Sequence, residues 1–383
     1  MLNYGQPNLP ETPPSAWQRH RVWLIPLLIL DLLIVVWWLW PEKPPSVSDL
    51  PAPELAAPLA APAVPPPPPG LRFGYPTAQD QLLDTNTPGI YMPTASGRPE
   101  SAMYGSVRST QQGKYVLPSF HEGLDIGPMN RDRKNMPTDL VIAAADGRVA
   151  YANRIAGNSN YGKYVVLVHD DPTMGEIYTL YAHLADVDPA MRPGTAVTRG
   201  QTLGLMGNSA STGIPVVRAH LHFEVGVINN TQFHRWFKAQ KLKPDHGNYH
   251  GHNLTGIHPL DVYQWQLTHE VFGLGDYLDQ LAPAFTLVVK TPRPLNYFAR
   301  YPSRWTGEPA TTFVMTVSEG GVPLRGRPAT EEERRALAGK RHHVLSVDEA
   351  VLGRNGLRLI TRKQGHWVLG KNGERWLEVL AYH

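Results

Sequence analysis

Cysteine is absent from all 383 residues, which excludes disulfides and thiolate metal sites, so any metal ion must be held by histidine and carboxylate. A dense run of Lys and Arg is missing as well. With a formal charge of +3 and a pI near 8.9, the chain offers no phosphate-tracking surface, and nucleic acid is not expected as a partner. The His-Glu-x-x-His helix of thermolysin-type peptidases is also lacking. HEGLD at 121–125 and HEVFG at 269–273 both want the second histidine, so a site with a glutamate base is not expected. No internal repeat is visible, and no helix-period pattern of useful length occurs between 71 and 225.

Proline and glycine, by contrast, are plentiful. There are 37 and 34 of them beside an ordinary 42% of hydrophobic residues, more than a compact helical protein tolerates. The composition predicts β-structure, many turns and at least one linker. The length suffices for two ordinary domains with extensions.

Residues 22–40, VWLIPLLILDLLIVVWWLW, would make a helix of about 28 Å, the thickness of a bilayer's hydrocarbon core. Trp23 lies at one end and Trp37, Trp38 and Trp40 at the other, where indoles favour the interface. Asp31 costs roughly 2.5 to 3.5 kcal/mol at mid-span, which the aliphatic neighbours offset. Arg19 and Arg21 precede the span and Glu42, Lys43, Asp49 and Glu54 follow it, so the positive-inside rule makes residues 1–21 a cytoplasmic N-terminus and exports the rest. A cleaved signal peptide is the rival reading. It would have a shorter apolar core followed by small residues, not by Trp-Trp-Leu-Trp-Pro. Residues 41–70 are rich in Pro and Ala and end in five prolines and a glycine, a stiff spacer of up to ~90 Å.

From 71 to about 225, short alternating runs separated by Gly, Asp, Asn and Pro predict an antiparallel β-domain. Its strands are expected at 140–145, 147–153, 164–169, 177–184 and 220–225. Residues 231–240 suit a short helix and 246–253 a loop, and the domain is taken to end at 265. Residues 266–383 read as a second, small α+β domain of unknown role. Its strands are expected at 284–290, 311–318, 341–347, 357–362 and 375–382, and one helix is signalled by the capping-box spacing of Thr330 and Glu333.

Chemistry is sought among 16 histidines. His121 and Asp125, in FHEGLDIG, are four apart and share a face if extended, which alone is weak support for a metal. His220, His222 and Glu224 share one face of AHLHFEV, and Leu221, Phe223 and Val225 the other. Burying the apolar face turns both imidazoles towards a cleft. In TLYAHL, alternation sets Tyr181 and His183 on one face and Leu180, Ala182 and Leu184 on the other. His169 reads as a satisfied strand-end histidine. Together these segments supply four imidazoles and a carboxylate. Zinc needs three protein ligands and an open position for catalysis, and two His with one Asp meet that count. Spacing does not decide which of His220 and His222 is the ligand.

YGSVR (104–108), FHEGLDIG (120–127), VIAAADGRVAY (141–151), NYGKYVVLVH (160–169), TLYAHL (179–184), PGTAVTRGQTLGLMG (193–207) and AHLHFEV (219–225), in this order, resemble the lysostaphin-like, LytM-type zinc endopeptidases. The resemblance covers roughly 120 continuous residues. It implies an antiparallel β-barrel or sandwich with a groove over the metal. It further implies one Zn2+ held by His121, Asp125 and His222, and catalysis by His183 and His220. The implied activity is hydrolysis of peptidoglycan peptide cross-links at the cytoplasmic membrane, with the catalytic domain in the periplasm or outside the cell. The alternative within the family is a non-catalytic protein that binds peptidoglycan or activates an amidase. A sizeable extension (226–262) and the domain from 266 onward depart from the pattern. The latter could meet an envelope protein partner, and His234, His246, His250, His252 and His258 could hold a second metal or line the groove wall.

Overall fold

The computed structural model describes residues 70–93, 98–112 and 115–383. The cytoplasmic N-terminus, the transmembrane span and the spacer expected at 1–21, 22–40 and 41–70 lie outside them, save Gly70. Among the described residues, no helix is long and apolar enough to cross a membrane.

The expected β-domain forms around one seven-stranded antiparallel sheet. Its main path runs Leu254–Ile257, Leu221–Ile228, Gly175–Leu184, Lys163–Asp171, Gly147–Asn153 and Ala196–Val197. Leu221–Ile228 pairs with three other strands. One side pairs with Gly175–Leu184, while the other is shared by Leu124–Ile126, opposite residues 221–223, and Leu254–Ile257, opposite 225–228. A second sheet orders Leu140–Ile142, Thr202–Leu205 and Asp186–Val187. Val141, Leu203 and Val187 share a core with Val149, Val165 and Leu167 of the large sheet, so two β-layers close over one interior.

The barrel alternative is corrected. Ala196–Val197 and Leu254–Ile257 end the large sheet without pairing to each other, because the chain leaves a two-residue edge strand directly into the turn at Gly200. The layers remain open.

In the C-terminal region the four-stranded antiparallel sheet orders Pro323–Pro328, Thr312–Val317, Phe285–Lys290 and His342–Val347. Pro323 and Pro328 occupy an edge strand, where a missing N–H is tolerated. Thr330 caps Glu331–Ala336 through the expected box, its side chain accepting from Glu333 N while Glu333 reaches back to Thr330 N. One expectation fails plainly: 375–382 belongs to a helix, Lys371–Ala381. Gly373, Leu377 and Leu380 are its buried positions, spaced four and three, with Val379 beside them, and a short apolar run cannot be told from a strand by its hydrophobicity. The helices Pro259–Thr268 and Leu274–Gln280 are also additions.

One hydrophobic cluster extends from Leu71 through Phe223 and Val262 to Phe285 and Leu380. Pro259–Thr268 runs across the 265/266 position without a break. The terminal helix also reaches the extension. Val379 and Tyr382 pack on Phe233, Trp236 and Phe237, and Asn230 Nδ2 donates to the carbonyls of Val379 and Tyr382 at 2.6 and 2.8 Å.

Candidate metal centre

Strand register brings two distant segments together. His222 lies directly opposite Asp125 in the pairing of Leu221–Ile228 with Leu124–Ile126, and opposite Ala182 on its other side. Paired residues have Cβ atoms about 5 Å apart, so the sheet itself joins residues 97 positions apart. Close approach depends on Gly123, where a Cβ would meet the carbonyl oxygen of Phe223 at 2.2 Å. Leu221, Phe223 and Val225 enter the core, which turns the His220, His222 and Glu224 face to a groove, as alternation predicts.

His183 follows a different rule from the one expected. Tyr181 packs on Phe223 in the core, whereas the His183 ring lies 4.7 Å from that of His220 and 5.9 Å from that of His222. They are on opposite faces. The cause is a left-handed backbone at His183, φ 63°, which breaks the period of two and sends Leu184 to the core side with Tyr181. Such a conformation costs of order 1 kcal/mol or more, and neighbouring loops hold it. His183 N donates to Tyr161 O at 2.9 Å, and the ring Nδ1 donates to Ser209 O at 2.9 Å. Ser209 is fastened in turn by Gly162, φ 63°, where any Cβ would strike the Ser209 carbonyl oxygen at 2.0 Å.

At the centre, Asp125 Oδ1 lies 3.1 Å from His121 Nε2 and 3.0 Å from His222 Nδ1, and those two nitrogens are 3.1 Å apart. A tetrahedral ion with bonds of roughly 2.0 to 2.1 Å spaces its ligands about 3.3 Å apart, so the three atoms fit a small divalent cation. His121, Asp125 and His222 are all buried and form the one group among the described residues with this geometry. His220 Nε2 is farther from Asp125 Oδ1, at 3.4 Å.

The chemistry of the donors strengthens the fit. Carbonyl oxygens only accept, so Nδ1 of His121 must donate to Met103 O at 2.9 Å and Nδ1 of His220 to Arg218 O at 2.7 Å. His222 Nε2 contacts Glu224 Oε1 at 2.8 Å. In His121 and His220 the proton is thereby held on the outer nitrogen and the inner nitrogen presents a lone pair. His222 has a carboxylate at each nitrogen, so its inner nitrogen is open to a proton or, in its place, to a cation shared with Asp125 and His121.

Burial opposes a charge on His222, but the hydrogen bonds it donates to Asp125 and Glu224 and their negative charges lift its pKa to about 9. Burial alone would raise Glu224, yet hydrogen bonds from His222, Tyr178 and Tyr161 hold its pKa below the usual carboxylate range. His183 is pushed well below 6.5, first by burial and then by the neighbouring His220 and His222. It is neutral at physiological pH.

His121, His183, His220 and His222 form the floor of an open groove of about 890 Å³, with Asp125 and Glu224 buried beneath them. The extension supplies one wall through His246, His250 and His252, which answers the question raised by the histidine-rich loop. His250 packs on Phe233 and Phe237, and burial, then His252 and His246, lowers its pKa to about 4. His234 and His258 stay outside the groove lining, with His258 capping Pro259–Thr268. His169 is a satisfied core histidine, bonded to Asp146 O and Thr179 Oγ1.

The supporting shell was only half visible in the sequence. Glu224 could be suspected from its place two residues beyond His222 on the same strand face. Tyr161 and Tyr178, each donating to Glu224 at 2.7 Å, arrive from other strands and turns and carry no local signal.

Residues 119–234 match the family model of Peptidase family M23, a span that contains His121, Asp125, His183, His220, His222 and Glu224. A comparison with curated proteins gave no match. Among solved structures, the catalytic domain of lysostaphin from Staphylococcus simulans is 24% identical, with 33% of this chain and 77% of that chain covered and a TM-score of 0.24. The catalytic domain of a prophage-encoded M23 protein from Enterococcus faecalis is 23% identical over 33% of this chain and 80% of that one, TM-score 0.23. A putative glycyl-glycine endopeptidase from Ruminococcus gnavus is 23% identical over 38% and 46%, TM-score 0.24; this chain thus spans less than half of that protein. The domain built on residues 119–234 belongs to peptidase family M23, the LytM-type family that its motifs resemble.

Proposed function

We propose that the chain is a zinc-dependent endopeptidase that hydrolyses peptide cross-links of peptidoglycan during cell-wall remodelling. In this reading residues 22–40 anchor it in the cytoplasmic membrane with residues 1–21 in the cytoplasm, and 41–70 space the peptidase domain (71–265) away in the periplasm or outside the cell. The region 266–383 is a companion module available to an envelope protein partner.

The observation that carries the proposal is the convergence of His121 Nε2, Asp125 Oδ1 and His222 Nδ1 within 3.1 Å of one another on the floor of an open groove. These three would hold one Zn2+, with His183 and His220 beside it. Bound there, zinc would supply Lewis acidity and make a neighbouring water acidic enough to ionise near pH 7. His183 and His220 have their Nδ1–H groups committed to the carbonyls of Ser209 and Arg218. In each ring Nε2 is therefore the atom that exchanges a proton. Neutral His183 is suited to accept one from water, and either ring, once protonated, can stabilise an oxyanion or deliver the proton to the leaving amine.

Full-length protein incubated with purified sacculi should release cross-link-derived peptides detectable by mass spectrometry, and a chelator should stop the release. Binding to sacculi with no release would favour the non-catalytic alternative. Cleavage confined to a protein substrate would displace peptidoglycan as the target.

Glu224 provides a graded test. Glu224→Gln keeps the size of the side chain but removes the negative charge beside His222 Nε2, and should weaken zinc binding by about 10- to 100-fold. Competition with a metal indicator measures this, and unchanged affinity would remove Glu224 from the supporting shell.

A further inference from the structure

Besides its histidines and uncharged groups, the groove is lined by one carboxylate, Glu122, and by Arg218, the single Lys or Arg side chain among its lining residues. We propose that Arg218 is a specificity residue that pairs with a free carboxylate of the substrate next to the scissile amide. The inference rests on the peptidase reading and deepens it: it selects cross-links whose amine-donating residue keeps its own carboxylate over uncharged bridges such as glycine.

Position is the first argument. Arg218 ends the short 3-10 turn Val216–Arg218, and Ala219 after it, φ −59° and ψ 134°, leads into His220. Arg218 and His220, two residues apart, both line the groove. The Arg218 carbonyl also accepts from His220 Nδ1 at 2.7 Å, so the His220 ring is fixed to the backbone from which the Arg218 side chain departs.

Rigidity is the second. The guanidinium of Arg131 donates to Asn135 O, Val216 O, Val217 O and Ala219 O at 2.8 to 3.4 Å. One arginine thus clamps the turn that carries another, and the Arg218 backbone is preorganised without use of its own side chain.

Availability is the third. The Arg218 side chain is exposed, and among the described residues no carboxylate lies within ion-pair distance of it. A planar guanidinium is the side chain best matched to a carboxylate, through two parallel N–H donors. A peptide whose scissile bond lies over His183 and His220 would bring a carboxylate on the amine-donating residue within the reach of that fork.

The test uses two synthetic cross-linked peptides that differ in one group, a free carboxylate or a carboxamide on the residue donating the amine. Full-length wild-type protein should show a kcat/KM higher for the carboxylate peptide, by up to about fivefold, the most that an exposed ion pair is worth. The difference should lie mostly in KM and shrink at high salt. Arg218→Lys should retain part of the preference, Arg218→Ala should bring the ratio to one, and Arg218→Glu should invert it. Each variant is checked for wild-type zinc content, which reports an intact centre. Equal use of both peptides by the wild type, or a preference unchanged in Arg218→Glu, would overturn the proposal. Failure of the wild type to cleave either peptide would instead count against the peptidase reading itself.

Discussion

His121→Ala is expected to abolish metal binding and hydrolysis together. The substitution removes one of three donors whose mutual distances are 3.0 to 3.1 Å and leaves a two-ligand remnant at the base of the groove. Loss of an outer partner alone typically costs 10- to 100-fold in metal affinity, so loss of a ligand should cost more than about 100-fold. Hydrolysis should fall to background, because no other group of His, Asp and Glu among the described residues has the geometry to take over. Metal analysis after dialysis and product release from sacculi measure both effects. A preserved near-ultraviolet dichroism spectrum would show that the fold survives. Hydrolysis retained in this variant would contradict the ligand assignment.

His183→Ala should separate the two properties. The His183 ring lies beside those of His220 and His222 but outside the three-donor set, so zinc should stay bound at one ion per chain. Turnover should drop by roughly 10²- to 10⁴-fold, the usual range for removing a positioned acid–base group. Since His183 occupies a left-handed position, φ 63°, alanine is disfavoured there, and His183→Asn, better tolerated in that conformation, gives a second variant with the same expected loss. Loss of zinc would make His183 a ligand. Full activity would exclude it from the chemistry.

The contrast between these two histidines shows where sequence reading succeeds and where it stops. His222 and Asp125 lie on strands, and the period of two correctly turned the 220, 222 and 224 face towards the groove, because the alternate residues Leu221, Phe223 and Val225 had a core to fill. The same rule misplaced His183, because a single positive φ, sustained by hydrogen bonds to the carbonyls of Tyr161 and Ser209, re-phases the strand. No pattern of apolar residues encodes that. The tautomers of the four rings were equally hidden, for they depend on carbonyls of Met103, Ser209 and Arg218 and on Glu224.

Outside the centre, the strands of the β-layers were legible in their alternation and in the Gly and Asn turns between them. The helix Lys371–Ala381 was not, since RWLEVLAY fits either period over eight residues. Its docking on Phe233 and Phe237, and theirs on His250 in the groove wall, joins the C-terminal region to the histidine-rich extension. Long-range packing of that kind has no counterpart in local sequence.

The most direct measurement is anomalous diffraction at the zinc edge from crystals of the wild-type protein. One peak is expected, bonded to His121 Nε2, Asp125 Oδ1 and His222 Nδ1 at roughly 2.0 to 2.2 Å, with the Nε2 atoms of His183 and His220 beyond bonding distance. The absence of a peak there at full zinc loading, or a peak bonded to His220 in place of His222, would contradict the centre described above.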